Sequence, residues 1–150
     1  MRKYHQGIFV PKYPKKYRGN VKKIFYRSSW ELRFMAYLDE SPNVIAWASE
    51  EFHIPYENPI DGKQHRYFPD ILFKMIDKNQ KEITYLVEIK PDAQSREPVK
   101  RKQKQKTFIQ EVATFGMNEA KWKAAKIYCA KRGWEFKVVT EKNTPWIVGK

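Results

Sequence analysis

The chain has 150 residues, enough for one domain with a substantial core and too few for two ordinary ones. Thirty Lys and Arg against 17 Asp and Glu give a formal charge of +13 and a pI near 9.7, which calls for a polyanionic partner and favours nucleic acid over a membrane surface. No apolar run approaches the roughly 18 residues of a membrane span, no signal-peptide core follows the basic N-terminus, and the single Cys129 excludes an internal disulfide and an all-cysteine metal site, so a reducing, intracellular setting is expected.

Residues 1–27 hold nine Lys or Arg and no Asp or Glu. Their tyrosines, prolines and glycines bury little apolar area by themselves, so a basic extended arm is expected, lying on the domain or on a partner. Lys12, Lys15, Lys16 and Arg18 are candidate contacts to DNA phosphates, with Tyr13 or Tyr17 stacking on sugars or bases. The alternative is that Phe9, Tyr17 and Phe25 pack at the core edge while the lysines are merely solvated.

Residues 28–150 form the expected folded domain. Ser28-Ser29 ahead of Trp30, Phe34 and Leu38 predicts a capped helix stopped by Ser41-Pro42-Asn43. Glu31 falls in its first turn, where the positive end of the helix favours an anion. Val44 to Trp47 and Glu50 to Tyr56 read as one extended segment, the first strand of a meander, with Glu50 and Glu51 as alternative carboxylates. Asn58 to Lys63 has the Pro and Asp-Gly chemistry of a turn. His53 and His65 flank that turn without the paired spacing of a zinc site and read as incidental, the alternative for His65 being a contact to DNA near the metal.

From Arg66 to Pro91 aromatic and β-branched residues flank the polar run Asp77-Lys78-Asn79-Gln80-Lys81, the pattern of a β-hairpin. If the hairpin is symmetric about Asn79, Asp70 lies opposite Glu88. Strand alternation then puts Asp70, Glu88 and Lys90 on one face and Val87 and Ile89 on the other. Like charges opposed on neighbouring strands are destabilising unless something positive sits between them, and a divalent cation is the obvious candidate. Mg2+ or Mn2+ needs only one or two protein carboxylates beside waters and phosphate oxygens. Lys90 could orient an attacking water or offset charge on a pentacoordinate phosphorus, so the three residues together describe a site for phosphodiester hydrolysis.

Beyond Pro91, Asp92 to Pro98 is a polar loop, and a helix from Val99 to Phe115 opens with Lys100, Arg101, Lys102, Gln103, Lys104 and Lys106, all candidate DNA contacts. Gly116 is expected to break it and Asn118 to cap a second helix from Glu119 to about Arg132, stopped by Gly133. Trp134 to Thr140 is a last strand, and the tail carries Trp146-Ile147-Val148. The expected fold class is α/β: helix, three-stranded meander, helical hairpin, further strand.

Pro69-Asp70 followed by Glu88-Ile89-Lys90 across a hairpin resembles the motif of the PD-(D/E)xK nuclease superfamily. That resemblance implies a restriction-endonuclease-like core and an acidic residue on the preceding helix, a place that Glu31 fills. It implies Glu31, Asp70, Glu88 and Lys90 as catalytic residues, the three acids as ligands of Mg2+ or Mn2+, and DNA as substrate. Tyr26-Arg27-Ser28-Ser29-Trp30-Glu31, Ile54-Pro55-Tyr56, Arg66-Tyr67-Phe68-Pro69-Asp70 and the run from Trp122 to Cys129 further resemble the head-completion nucleases of T4-like tailed phages. The chain is also similar to the endonuclease subunit of Tn7-type transposons. The phage resemblance implies action after genome packaging and before tail attachment, in the cytoplasm of the infected host or on the virion, with portal or head-neck proteins as further partners and no membrane. A competing reading is a non-catalytic basic assembly protein that binds DNA or a portal-like ring.

Overall fold

The computed structural model describes residues 6–101 and 104–142. Its centre is a four-stranded sheet in the order β3-β6-β7-β8, built from β3 (Val44–Ser49), β6 (Ile71–Ile76), β7 (Glu82–Ile89) and β8 (Glu135–Val139). The β3/β6 and β6/β7 pairs are antiparallel and β7/β8 is parallel. Two short ribbons flank it, β1 (Gly7–Ile8) with β2 (Phe25–Tyr26) and β4 (Ile54–Glu57) with β5 (Gln64–Tyr67). Helix α1 (Ser29–Glu40) packs on one face of the sheet and α2 (Gln105–Arg132) on the other. The expected α/β class is what forms.

Side-chain alternation divides the core between the two faces. Ile71, Phe73 and Val87 point toward Phe34, Met35 and Leu38 of α1, while Leu86 joins Trp122, Ala125 and Cys129 of α2. These three α2 residues lie three and four positions apart, one stripe of a helix. Burial pushes the Cys129 thiol pKa up to about 11, so this cysteine packs as a small hydrophobe.

The central hairpin pairs Ile71 with Val87 and Phe73 with Tyr85, the register expected from symmetry about Asn79. Its turn is closed by Asp77, whose N–H donates to the Lys81 carbonyl at 2.9 Å while its Oδ1 accepts from the N–H groups of Asn79 and Lys81. Helix α1 begins where Ser28 caps it: Ser28 Oγ accepts from the Glu31 N–H at 3.0 Å. Ser28→Ala should therefore cost about 1 kcal/mol, which a thermal melt reads as a fall of ~3 °C.

Two expectations differ. The first-strand segment is two strands, because Glu50 adopts a positive φ of 53° that turns the chain out of β3 before β4 begins. Thus β4 pairs with β5 in a separate ribbon instead of extending the meander. The helical hairpin expected over 99–132 is one continuous helix from Gln105 to Arg132, with no cap at Asn118, which is buried in mid-helix. A mid-helix glycine costs only ~1 kcal/mol relative to alanine, and the parallel β7/β8 pair demands a long crossover; the packing of the second half of α2 outweighs Gly116. Gly133 does end the helix, in the left-handed conformation with φ of 72°.

Over residues 6–27 the basic arm lies on the domain, and two of the three aromatic residues named as core-edge candidates are buried. Ile24 is fully buried, Phe9 and Tyr17 are nearly so, and Phe25 stays exposed. Tyr17 meets the Trp47 ring edge-on at 4.8 Å.

Candidate active site

Asp70 stands one residue ahead of β6, and continuing the observed register by one step sets it opposite Glu88 near the end of β7. Asp70 Oδ2 accepts from the Ile89 N–H at 2.7 Å, which ties the carboxylate to the neighbouring strand. Glu88, 7% exposed, accepts from the Tyr67 hydroxyl at 2.6 Å through Oε1, and its Oε2 lies 3.6 Å from Lys90 Nζ. The Lys90 N–H donates to the Val139 carbonyl at 3.0 Å, so the lysine backbone is held by β8.

Glu31 comes in from the start of α1. Its Oε1 accepts from the Arg27 N–H at 2.7 Å, a variant of the capping box in which the glutamate reaches one residue past the cap. The Arg27 guanidinium in turn pairs with Glu50, which bonds through its own N–H to the Asp70 carbonyl at 3.2 Å. Asp70 and Glu88 thus stand opposite each other across β6 and β7, and Glu31 and Glu50 are near enough for their charges to act on Asp70.

The electrostatics report the crowding. Burial raises the Asp70 pKa well above the usual carboxylate range, and the charges of Glu88, Glu31 and Glu50 push the same way against the Ile89 N–H bond. Glu88 is raised by burial and restrained by the Tyr67 hydroxyl, Lys90 and Lys121. Glu31 is raised chiefly by burial, with Glu50 and Glu88 adding to it. Burial and the nearby Glu88 charge hold the Tyr67 hydroxyl protonated, a standing donor to that carboxylate. Such a cluster of raised carboxylates favours an added positive charge.

Among the described residues no three His, Cys, Asp or Glu side chains form a ready-made metal cluster. The donor set matches instead a hard cation that takes one or two carboxylates and leaves its other positions to water and phosphate oxygen. Asp70 and Glu88 could supply those two, Asp70 through an oxygen not committed to Ile89 and Glu88 through Oε2.

The strands that carry Asp70, Glu88 and Lys90 also carry the family signal, while α1 with Glu31 lies ahead of it. A model of the TnsA-like endonuclease N-terminal domain matches residues 41–141, which include β3 to β8 and both strands of the central hairpin. The chain belongs to this endonuclease family. Its fold is therefore the restriction-endonuclease-like one. The chain is also similar to the head completion nuclease of Enterobacteria phage T4, 43% identical over 141 residues, with 91% of each chain covered. Family membership and the similarity to the T4 protein agree with the relationship to the PD-(D/E)xK nucleases read from the sequence.

The basic residues singled out in the sequence take different places. Lys12 lies 3.3 Å from Glu40 and donates its N–H to Asp39, and Lys16 Nζ donates to the Asp39 and Ser41 carbonyls, both at 2.8 Å. These two lysines fasten the N-terminal segment to the negative end of α1. Arg18 folds back onto the Lys15 carbonyl, and Lys15 is exposed. Lys100 sits 5.1 Å over the Phe108 ring, Arg101 pairs with Glu111 at 3.2 Å, and Lys104 and Lys106 are exposed at the start of α2. Lys102, Gln103 and the Trp146-Ile147-Val148 tail lie outside the described residues. Sequence reasoning assigned no role to Arg27, Tyr67 or Lys121, all of which act on these acids; Arg27 and Tyr67 stand in the runs that carry the resemblance, just ahead of Glu31 and Asp70, a signal that could have found them, whereas Lys121 reaches Glu88 from α2 and no local pattern marks it.

Proposed function

We propose that this chain is a divalent-metal-dependent deoxyribonuclease, an endonuclease of phage head completion that acts after packaging and before tail attachment. The observation that carries the reading is the meeting of Asp70 and Glu88 across β6 and β7 with Lys90 against Glu88. The relative's name, head completion nuclease, supports both the chemistry and the setting. Portal or head-neck proteins are the matching assembly partners, and the cytoplasm of the infected host, with carry-over onto the virion, is the matching place. No helix among the described residues is long and apolar enough to cross a membrane.

In this reading Asp70 and Glu88 hold Mg2+ or Mn2+, with Glu31 completing the arrangement from α1. The bound cation supplies Lewis-acid polarisation of the scissile phosphate and a more acidic water. Lys90 orients the water and offsets the negative charge that builds on phosphorus, while the Glu88 carboxylate keeps its ammonium in place. Asp70, held by the Ile89 N–H, is fixed in direction before substrate arrives. DNA approaches along the exposed start of α2 and the segment just before it, where Lys100, Lys104 and Lys106 meet backbone phosphates.

Purified protein should cut linear and circular duplex DNA in Mg2+ and stop when the metal is chelated; cutting of closed circles establishes the endonuclease mode. A wild-type protein that binds DNA indifferently to metal and never cuts it would leave only the non-catalytic assembly role. Replacing Lys100, Lys104 and Lys106 together with alanine should weaken DNA binding alike for all sequences. It should also flatten the plot of log affinity against log salt by roughly one unit for each phosphate that is no longer neutralised.

A further inference from the structure

The ribbon β4/β5 contributes no strand to the central sheet, yet its last residue reaches Glu88. Tyr67 closes β5 opposite Ile54, is 3% exposed, and packs with Tyr56, Leu86, Trp122, Ala125 and Cys129. From that buried position its hydroxyl donates to Glu88 Oε1 at 2.6 Å. Lys121, on the α2 stripe beside Trp122, holds its ammonium 5.8 Å from the ring centres of both Tyr56 and Tyr67, and its charge acts on Glu88. Glu88 is therefore gripped from behind on one oxygen by an element outside the sheet, while its other oxygen faces Lys90 at 3.6 Å.

Resting on the nuclease reading, we propose that Tyr67, backed by Lys121, is a positioning residue that sets the Glu88 carboxylate to bind the metal, and that the β4/β5 ribbon is its mount. A glutamate side chain has three torsions, and a metal ligand left to sample them loses affinity through ordering. One short hydrogen bond to Oε1 from a rigid aromatic ring removes most of that freedom and leaves Oε2 aimed at the cation. Lys121, lying over the two rings, holds them in place by cation–π attraction. Neither residue touches the phosphate in this scheme, so their effect is on metal occupancy ahead of the chemical step.

The test uses the full chain with Tyr67→Phe, which keeps the ring and its packing, and Lys121→Met, which keeps the stem and removes the charge. Mn2+ binding is measured by calorimetry without DNA, and cleavage of plasmid DNA is titrated with Mg2+. For Tyr67→Phe we expect Mn2+ affinity to fall about tenfold and the Mg2+ midpoint for cleavage to rise to match, with the maximal rate at saturating Mg2+ within roughly threefold of wild type. Lys121→Met should shift both midpoints the same way by about threefold. Unchanged metal midpoints in Tyr67→Phe overturn the proposal, as does a loss of maximal rate that saturating Mg2+ fails to restore. If Tyr67→Phe does not fold, Lys121→Met decides, an unchanged midpoint counting against. A wild-type chain that binds no Mn2+ sinks this proposal together with the nuclease reading, whereas wild-type binding with unaltered variants sinks this one alone.

Discussion

Asp70→Asn should abolish DNA cleavage, by at least ~1,000-fold, and yet raise the melting temperature of the metal-free protein by about 3 °C, the size of ~1 kcal/mol in a chain this long. Both effects have one origin. Burial and the charges of Glu88, Glu31 and Glu50 hold the Asp70 pKa well above its usual range. Between its unfolded and folded pKa values the folded chain binds more protons than the unfolded one, so stability falls as pH rises through that window and stays reduced above it. Asparagine is neutral throughout and still accepts the Ile89 N–H bond, so the variant escapes the loss. The gap in melting temperature between variant and wild type should accordingly widen with increasing pH and then level off. Mg2+ should close it, because the cation stabilises wild type and finds one ligand missing in the variant. Equal melting temperatures at every pH, with and without Mg2+, would show that Asp70 carries no such strain.

Lys90→Ala should lower the cleavage rate at saturating Mg2+ by about 100- to 1,000-fold, the scale of losing one positive group at a developing anion, while Mn2+ binding survives. That separation distinguishes the lysine from the two acids. A second signature follows from the 3.6 Å approach of Lys90 to Glu88. Lys90 is one of the groups that restrain the raised Glu88 pKa, so its removal lets that pKa climb further. Metal must displace the proton from Glu88, and the variant should therefore need a higher pH than wild type to bind Mn2+ with the same affinity. Calorimetry across a pH series reads this directly. An Mn2+ affinity whose pH dependence is identical in variant and wild type would mean that the lysine and the glutamate are electrostatically independent in solution. Lys90→Arg is a poor substitute, since the planar guanidinium cannot occupy the same compact place.

Much of this site was legible in the amino-acid order because its parts lie in one hairpin. Turn chemistry in Asp77 to Lys81 and the strand-forming flanks set the register, and the register set Asp70 opposite Glu88. Serine capping and helical spacing located α1 and put Glu31 in its first turn. Interactions between neighbours along the chain, or across one tight turn, determine all of these, and such interactions are written in adjacent residues.

What the tertiary structure decided depends on segments far apart in sequence. The burial of Phe9, Tyr17 and Ile24, and the capture of Lys12 and Lys16 at the end of α1, turned part of a basic arm into core and anchor. Packing against the sheet carried α2 through Gly116, where the intrinsic preference of the residue argued for a break. Tyr67 behind Glu88, Lys121 over Tyr67 and Arg27 against Glu50 came together only through folding. Propensity and turn chemistry are short-range energies and could place the acids by themselves; desolvation and long-range packing select the groups that hold those acids, and these energies exist only once the chain has closed on itself.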